Sequence, residues 1–588
     1  MTFKIAENCI GCGTCQQACR VGSIPPGGPV APRAARPEDK PIQKDGKKYR
    51  IEPDKCEGCA ACVATCPVGA IIRQDDTLKW EAHEPIELDA DLCVIGGGCT
   101  GLIAGVYAAM QGKKVVILEK ASFAGGGAKF AADWRIFESK WQKERGVPDE
   151  LNRMLLKGMD ETQWSLDPKL VYNALRNTGH FFDWFQTLVP DYEFVEGIYA
   201  MDRGDPQAQK VPFVKPVNGR SPNGTFCVET LEKECQKRNI PLLYRHQVTD
   251  IEMTDGRVSA VVAKDPGGIT RVTCKACVLA SGSWIRNKKI MEEKFPEFYK
   301  LLPKMEPSQH ANVAYTGDGI HLAEQAGAYI DYDSFVLRCM GPLGMVPSMS
   351  ASAISSSPLC IWVNTDGKRW MNEGNMTRAG MSGSVSFAMG TQLSLQPGGL
   401  NYTIFDKGMA EKIKAKMDSG DAPASFFGPM KVPENYLQEM DETASRPNGG
   451  VFVRGETIEE LAKNAGINAE NLKATIAAYN TMCENGADTE LFKSPDQLIP
   501  FTGGPYYAVQ GHLNHDGAFG GVLIDPETRA YRPDKTVIDN LFVPGDFASG
   551  RFINSGDVKE QVINDLGWAV SSGYTAGHAA VDFLKQFS

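Results

Sequence analysis

Residues 91–119 read DLCVIGGGCTGLIAGVYAAMQGKKVVILE, a pattern that predicts a βαβ unit. An apolar strand leads into a G-x-G-x-x-G turn at Gly96, Gly98 and Gly101, which is followed by a helix of small residues and by a second strand that ends at Glu119. In such a βαβ unit the first glycine makes the turn, the second lets a pyrophosphate reach the helix N-terminus, and the third brings helix and sheet together. The pattern predicts a dinucleotide site in which Glu119 binds the adenosine ribose. A glycine-rich turn that binds no phosphate is the alternative.

Cysteine is concentrated near the amino-terminal end, where eight of the 17 cysteines precede residue 67. They form two runs with the spacing C-x2-C-x2-C-x3-C, at residues 9–19 and 56–66. The spacing is typical of bacterial ferredoxins with two [4Fe-4S] clusters, in which the fourth cysteine of each run binds the other cluster. We therefore predict one cluster on Cys9, Cys12, Cys15 and Cys66, and another on Cys56, Cys59, Cys62 and Cys19. Zinc is the alternative, although zinc sites usually combine two cysteine pairs at longer separation.

Length and composition narrow the class of protein. The chain has 588 residues, of which 42% are hydrophobic and 23% charged, and this predicts two or three globular domains rather than a disordered, collagen-like or coiled-coil protein. No run of about 18 apolar residues occurs and the start leaves no room for a signal peptide, so we expect a cytoplasmic protein that is not integral to a membrane. The net charge of −10 argues against nucleic acid as a partner.

A basic segment separates the two cysteine runs. From Arg20 to Arg50, eight Lys or Arg residues stand against three Asp or Glu residues. Such a patch can dock an acidic redox protein, so a ferredoxin or flavodoxin is the expected electron donor. A solvated loop is the alternative interpretation.

Further motifs follow the dinucleotide turn in a fixed order. They are Ala124–Gly127, Val278–Ser283, Thr316–Gly319, Ala326–Ala328, Val363–Glu373, Pro505–Ala508, Gly520–Val522 and Leu541–Asp546. In this order, the segment from Asp91 onward resembles the flavoprotein of the fumarate reductase and succinate dehydrogenase superfamily, which includes soluble fumarate reductases, urocanate reductase and ketosteroid dehydrogenases.

The resemblance implies an α/β FAD-binding Rossmann-like domain with an inserted α+β cap domain, preceded by an N-terminal α+β ferredoxin domain. The expected bounds are 1–80 for the ferredoxin-like domain, 88–330 and 505–588 for the two parts of the FAD-binding domain, and 331–504 for the cap. The spacing of apolar residues predicts one helix over residues 456–485. A second helix is predicted over residues 557–583, which have a similar pattern.

The resemblance also implies FAD rather than NAD as the cofactor. Only one dinucleotide motif occurs, which does not support a separate NAD(P)H site, and the absence of a histidine in or beside the Gly125 segment predicts non-covalent FAD. The residues expected to contact FAD are Gly96, Gly98, Cys99, Thr100, Gly101, Glu119, Lys120, Gly125, Gly126, Gly127, Ala128, Ser281, Gly282, Thr316, Asp318, Gly545, Asp546 and Ser555.

Substrate residues are expected where the cap meets the flavin. In the family, an arginine just after the Gly-Lys-Arg-x2-Asn-Glu motif donates a proton to the substrate, and Arg378 takes that place here, with Glu373 as its relay or positioning partner. Three departures from the fumarate reductase pattern leave Arg338, His515 and Arg551 as the candidates that hold a carboxylate. The alternatives are a surface arginine at 378, a salt bridge at 338 and a loop histidine at 515.

These features predict an oxygen-sensitive flavoenzyme that reduces an activated C=C bond. The expected substrate is an unsaturated carboxylic acid, to which FAD transfers a hydride after two [4Fe-4S] clusters have delivered electrons one at a time. The first alternative is an FAD and iron–sulfur electron-transfer subunit of a larger redox complex. The second is an adenylylsulfate-reductase-like enzyme, which the fused clusters disfavour because that family carries its clusters on a separate subunit.

Overall fold

A computed structural model of the protein describes most of the chain. The described residues are 3–5, 7, 9, 42–52, 71–73, 82–121, 123–130, 135–161, 164–198, 210–214, 223–284, 287–296, 316–332, 348–374, 392–421, 432–445, 451–512, 520–548, 563 and 565–587.

The strands and helices are numbered here in chain order. The strands are β1 (Phe3–Ile5), β2 (Ile42–Asp45), β3 (Lys48–Ile51), β4 (Ile71–Arg73), β5 (Ile86–Ile95), β6 (Val115–Glu119), β7 (Phe194–Ile198), β8 (Lys210–Val214), β9 (Leu242–Tyr244), β10 (Gln247–Thr254), β11 (Arg257–Lys264), β12 (Ile269–Leu279), β13 (Ile330–Asp331), β14 (Ile361–Val363), β15 (Leu400–Asp406), β16 (Phe452–Gly455), β17 (Tyr506–His512), β18 (Gly521–Val522), β19 (Arg529–Tyr531) and β20 (Val537–Phe542). The helices are α1 (Cys99–Met110), α2 (Lys140–Glu144), α3 (Leu151–Glu161), α4 (Pro168–Leu188), α5 (Asn223–Lys237), α6 (Lys288–Lys294), α7 (Asp318–Gln325), α8 (Met349–Ser355), α9 (Lys407–Ser419), α10 (Tyr436–Ala444), α11 (Ile458–Ala465), α12 (Ala469–Asn485) and α13 (Asp565–Leu584). In the described part of the chain, no helix combines the length and the apolar character that a bilayer crossing requires.

The amino-terminal segment is closed by pairing of its first and last strands. β1 is antiparallel to β4, with Ile5 opposite Ile71, and β2 and β3 form a separate antiparallel pair. Both cysteine runs lie in sequence between β1 and β4, one on each side of the β2–β3 pair.

An eight-stranded sheet organises the middle of the chain. Its strand order is β10-β11-β12-β5-β6-β9, with β20 beside β12 and β19 beside β20. β12, β5, β6 and β9 are parallel to one another. The last four residues of β5, 92–95, are apolar and buried, as expected for a parallel strand that is covered on both faces. The carboxyl ends of these parallel strands therefore meet at one edge, where ligands bind in open α/β sheets.

A second, four-stranded antiparallel sheet has the order β14-β15-β17-β16. Strand β17 belongs to this sheet, because Tyr506–His512 pairs along its length with β15 and also with β16. The sequence boundary at residue 505 had assigned this strand to the FAD-binding domain. Here the chain leaves the sheet only after His512, and it returns to the larger body of the protein at β18, which pairs with β13.

Residues 456–485 are mostly helical, as predicted. The stretch contains two helices, α11 and α12, where the prediction had one. Gly466 ends α11 in the left-handed conformation at a φ of 72°, and the Asn468 side chain accepts a hydrogen bond from the Asn471 N–H to begin α12. Of the apolar side chains at helical spacing in this stretch, those of Leu461, Leu472, Ile476 and Tyr479 are buried, and that of Ile458 is partly buried. Helix α13 confirms the later part of the 557–583 prediction; the earlier part lies outside the described residues.

Candidate functional site

The glycine-rich turn joins β5 to α1, and its glycines meet different steric demands. Gly96 has a φ of 109°, and a Cβ there would lie 2.3 Å from the Ala280 carbonyl oxygen. A Cβ on Gly101 would lie 2.0 Å from the Gly96 carbonyl oxygen. By contrast, a Cβ on Gly98 would meet no atom of the described residues within 4 Å, so this glycine leaves open space in front of the helix N-terminus.

Glu119 ends β6 beside this turn. Its Oε2 accepts the Gly97 N–H at 2.7 Å and its Oε1 accepts the Ala121 N–H at 2.7 Å. Burial raises the pKa of Glu119, while these two N–H groups oppose the rise. The carboxylate is thus fixed to the turn at the place where the dinucleotide pattern puts the adenosine ribose.

The next residue, Lys120, links β6 to a distant segment. Its Nζ donates to Thr316 Oγ1 at 2.5 Å and to Asp318 Oδ2 at 3.0 Å, and the Thr316 hydroxyl donates to Asp318 Oδ1 at 2.8 Å. Residues 316–318 lead into α7, which begins at Asp318, and they belong to one of the motifs quoted above. The structure therefore joins two motifs that are almost 200 residues apart in sequence.

Helix α13 holds the motif at residues 541–546 beside the same turn. The Gly545 N–H donates to Ser572 Oγ at 3.0 Å, and the Trp568 indole N–H donates to the Gly545 carbonyl at 3.0 Å. Helix α13 lies directly on α1, since a Cβ on Gly573 would lie 2.6 Å from the Thr100 carbonyl oxygen.

One cavity of about 290 Å³ lies between these elements. The predicted FAD contacts that line it are Gly96, Gly98, Cys99, Thr100, Glu119, Lys120, Gly125, Gly126, Gly127, Ala128, Ser281, Gly282, Asp318, Gly545 and Asp546. Gly101 supports the wall from behind, Thr316 holds Lys120 and Asp318, and Ser555 lies outside the described residues.

Sequence reasoning missed several side chains that also line the cavity. They are Phe123, His246, Val248, Leu322 and Ala569. His246 carries the clearest chemistry of these, but it stands between two strands in a stretch with no motif, so no sequence signal indicated it.

Two observations fit a phosphate-bearing dinucleotide in this cavity. The open space at Gly98 lies at the N-terminus of α1, where unpaired N–H groups attract anions. The buried Ser281 hydroxyl, on the cavity wall, has no hydrogen-bond partner among the described residues. Both features leave room and polar atoms for a bound group.

Of the five predicted substrate-site residues, the structure describes only Glu373. Arg338, Arg378, His515 and Arg551 lie outside the described residues. Glu373 is fully buried, with Oε1 accepting the Trp362 N–H at 3.0 Å and the Arg369 Nε–H at 3.0 Å.

Glu373 belongs to a compact cluster of four charged side chains. Arg369 Nη2 lies 2.8 Å from Glu373 Oε2 and 2.8 Å from Asp488 Oδ2, and Lys493 Nζ lies 3.5 Å from Glu373 Oε2. Burial alone would raise the pKa of Glu373, but Lys493 and Arg369 hold it below its ordinary value. The two cations balance the two carboxylates, so Glu373 stays ionised inside the protein.

Among the predicted cluster ligands, Cys9 is described and partly buried, and the other seven cysteines lie outside the described residues.

Comparison with known proteins agrees with the dinucleotide cavity and with the cysteine runs. Residues 91–553 match the family described as FAD binding domain, and residues 8–70 match the family described as 4Fe-4S dicluster domain. Fold and cavity thus define a flavoprotein joined to an iron–sulfur segment. The chain belongs to the family of FAD-dependent oxidoreductases that includes the flavoproteins of fumarate reductase and succinate dehydrogenase.

The named relatives have low sequence identity to this chain, but their similarity covers most of it. A vinyl phenol reductase of Lactiplantibacillus plantarum is 23% identical over 516 residues, which cover 85% of this chain and 97% of the relative. A urocanate reductase of Eggerthella lenta is 25% identical over 484 residues, which cover 80% and 71%. The open conformation of a flavocytochrome c3 fumarate reductase superposes with a TM-score of 0.58 at 23% identity, over 84% of this chain and 79% of that chain, which shows the shared fold.

Proposed function

We propose that this protein reduces the activated C=C bond of an α,β-unsaturated carboxylic acid by hydride from non-covalent FAD, with electrons that enter through two [4Fe-4S] clusters. The observation that carries the proposal is the convergence of the FAD motifs on one cavity, in a chain that also contains a dicluster segment. The relatives named above act on vinyl phenol and urocanate, and each of these compounds contains a C=C bond.

The cofactor role rests on residues that the structure describes. Bound FAD would accept electrons one at a time and deliver two of them together as one hydride. The turn at Gly98 would admit its pyrophosphate to the N-terminus of α1, and Glu119 would hold its adenosine ribose. Lys120, fixed by Thr316 and Asp318, places a cation at the same wall.

The proposed roles at the substrate fall on Arg378, which follows Glu373, and on three residues in other segments of the chain. Hydride addition to an enoate builds negative charge, which needs a cation beside the activating group and a proton donor on the opposite face. We assign proton donation to Arg378, and carboxylate binding to Arg338, His515 and Arg551. Because Glu373 is held ionised by Arg369 and Lys493, its proposed role is to position the start of the segment that carries Arg378, not to relay the proton.

The assignment of cysteines to two clusters has support in the pairing of β1 with β4. Cys9 follows Ile5 by four residues and Cys66 precedes Ile71 by five, and Ile5 lies opposite Ile71. A stretch of four or five residues spans at most about 18 Å, so the pairing is compatible with one cluster that binds both Cys9 and Cys66.

The proposed electron donor is an acidic redox protein that docks on the basic segment. Lys44, Lys47, Lys48 and Arg50 are exposed on the β2–β3 pair, which separates the two cysteine runs in sequence. Clustered exposed cations of this kind accelerate encounter with an acidic partner.

Turnover of an enoate with reduced methyl viologen tests the proposal through Arg378. The change Arg378→Lys should lower turnover by about 10² to 10⁴, because lysine cannot reproduce the position and proton transfer of the guanidinium. FAD and iron content should remain at the level of the unmodified protein. The matched control is Arg257→Lys, since Arg257 is a surface arginine paired with Asp539 and should tolerate the change. Full activity in Arg378→Lys would refute the assigned donor.

A further inference from the structure

The linker that joins the iron–sulfur segment to the large sheet is anchored on a turn. The backbone N–H of His83 donates to the Gly267 carbonyl at 3.0 Å, and residues 265–268 form the turn between β11 and β12. His83 Nε2 lies 2.9 Å from Asp265 Oδ1, and this carboxylate is completely buried. The linker therefore meets the sheet through both its backbone and a charged side chain.

The hydrogen bonds of His83 define its protonation state. Its Nδ1 lies 2.8 Å from the Glu84 carbonyl oxygen, so both ring nitrogens face oxygen acceptors. Asp265 is itself an acceptor, because the N–H groups of Gly267 and Gly268 donate to its Oδ1 at 2.8 and 3.0 Å. A neutral imidazole donates from only one nitrogen, whereas the imidazolium donates from both. The geometry is thus satisfied by charged His83.

On its other side, Asp265 faces His246. His246 Nε2 lies 3.6 Å from Asp265 Oδ2, and His246 is one of the side chains that line the cavity. The backbone N–H of His246 donates to the Glu119 carbonyl at 2.9 Å, and its Nδ1 lies 2.7 Å from the Tyr244 carbonyl oxygen. A continuous set of contacts therefore runs from the linker to the strand end that carries the proposed ribose-binding acid.

We propose that His83, Asp265 and His246 form a linker clamp that couples attachment of the iron–sulfur segment to occupancy of the FAD cavity. FAD fixes the wall that contains His246, this favours the arrangement in which Asp265 holds His83, and the attached linker favours FAD binding in return. Such coupling is reciprocal, because the factor by which one event strengthens the other is the same in both directions.

The linker clamp depends on pH with a defined sign. The Glu84 carbonyl and the Asp265 carboxylate raise the pKa of His83 above its ordinary value. The titratable group that faces His83 is Asp265, and the group that faces Asp265 from the other side is His246. The charged form of a group with a raised pKa is present at low pH and is lost as the pH rises through that pKa. Coupling is therefore expected near pH 6, below the ordinary pKa of histidine, and is lost as the pH rises through the raised pKa of His83.

Hydrogen exchange and FAD titration test the clamp without any turnover assay. Backbone exchange of residues 82–85 should be slowed by FAD in the unmodified protein, at about pH 6, by about fivefold or more. In His83→Gln, which removes the charge, exchange should be fast with or without FAD, and the Kd for FAD should rise by the same factor. The matched control is His321→Gln, which removes an exposed histidine of α7 outside the cavity wall.

Two outcomes would overturn the clamp. One is equal exchange of residues 82–85 with and without FAD in the unmodified protein. The other is unchanged FAD affinity in His83→Gln relative to His321→Gln. Either result leaves the reduction of a C=C bond untouched, because neither readout includes a substrate.

Discussion

At the residue scale, the three motif glycines fulfil distinct physical requirements. Gly96 and Gly101 are excluded from carrying a side chain by backbone oxygens at 2.3 and 2.0 Å. Gly98 has an ordinary φ of −71° and open space around its missing Cβ. Of these three glycines, therefore, only Gly98 is required for ligand binding, whereas Gly96 and Gly101 are required for backbone packing.

This difference predicts separable effects of two alanine substitutions. Gly98→Ala should weaken FAD binding by about tenfold or more, because the methyl group occupies the space in front of α1, while the melting temperature of the FAD-free protein stays unchanged. Gly101→Ala should instead lower that melting temperature, since overpacking typically costs about 1–3 kcal/mol. Calorimetry and fluorescence titration measure both quantities. Unchanged FAD affinity in Gly98→Ala would contradict the placement of the pyrophosphate.

A second prediction at this scale concerns acid stability. Burial opposes ionisation of Asp488, but Arg369 and the N–H groups of Leu491 and Glu490 lower its pKa to about 2. A lowered pKa contributes stability above the unfolded-state pKa and loses it as the pH falls. Asp488→Asn should therefore reduce the free energy of unfolding by about 2 kcal/mol near neutral pH, and the deficit should shrink as the pH falls toward 2.

Urea unfolding over a pH series measures this deficit, with the exposed Asp366→Asn as the control. A deficit that does not change with pH would show that Asp488 stabilises the protein through its shape alone.

Some of these residue positions could be predicted from the sequence, and others could not. The glycine and Glu119 positions follow from local spacing, so they could be predicted. The charge cluster could not, because Arg369 and Asp488 are 119 residues apart and their contact depends on how α12 and the following loop pack. Glu373 was therefore predicted beside Arg378, whereas its described partners are Arg369, Lys493 and the Trp362 N–H.

At the element scale, the cavity depends on how closely α13 approaches α1. Gly573 and Gly577 face Thr100 and Ala104, and Cβ atoms at these glycines would lie 2.6 Å from the Thr100 carbonyl oxygen and 3.0 Å from the Ala104 Cα. The same helix holds Gly545 through Ser572 and Trp568. Small residues thus bring the carboxyl-terminal helix against the nucleotide-binding helix.

Gly573→Ala should separate the two helices and weaken both stability and FAD affinity. The backbone oxygen of Thr100 cannot yield as a flexible side chain can, so we expect about 1–3 kcal/mol of destabilisation. Thermal unfolding with and without FAD measures the two effects, and Asp582→Ala serves as the control, because Asp582 is exposed on α13 and pairs at the surface with Lys585. An unaltered Kd for FAD would show that helix spacing does not shape the cavity.

Element boundaries were the less predictable part of the fold. The α11 and α12 pair was predicted as one helix because the apolar spacing continues across Gly466 and Asn468, although glycine at a helix end and asparagine at a helix start are available signals. Strand β17 was misassigned for another reason. Its sheet partners, β15 and β16, are set by long-range pairing that no local motif records.

At the scale of the whole molecule, one chain combines an iron–sulfur segment with an FAD cavity, to which the proposal adds a substrate site. The crossed assignment of the cysteines gives a test by pairs of substitutions. Cys9→Ala and Cys66→Ala, singly or together, should each leave about four iron atoms per chain, because both residues are assigned to one cluster. Cys9→Ala combined with Cys56→Ala should remove nearly all the iron. Iron analysis and low-temperature EPR measure the result; additive loss in the first pair would contradict the assignment.

The central claim is that electrons stored on the clusters and FAD leave as a hydride to a C=C bond. The most direct measurement is anaerobic reduction of the protein with stoichiometric dithionite, followed by addition of fumarate, acrylate, cinnamate or urocanate while flavin and cluster absorbance are recorded. The account predicts rapid reoxidation of both chromophores by one class of enoate, with the saturated acid as the product. Reoxidation by a redox protein or viologen alone, with every enoate inert, would contradict it.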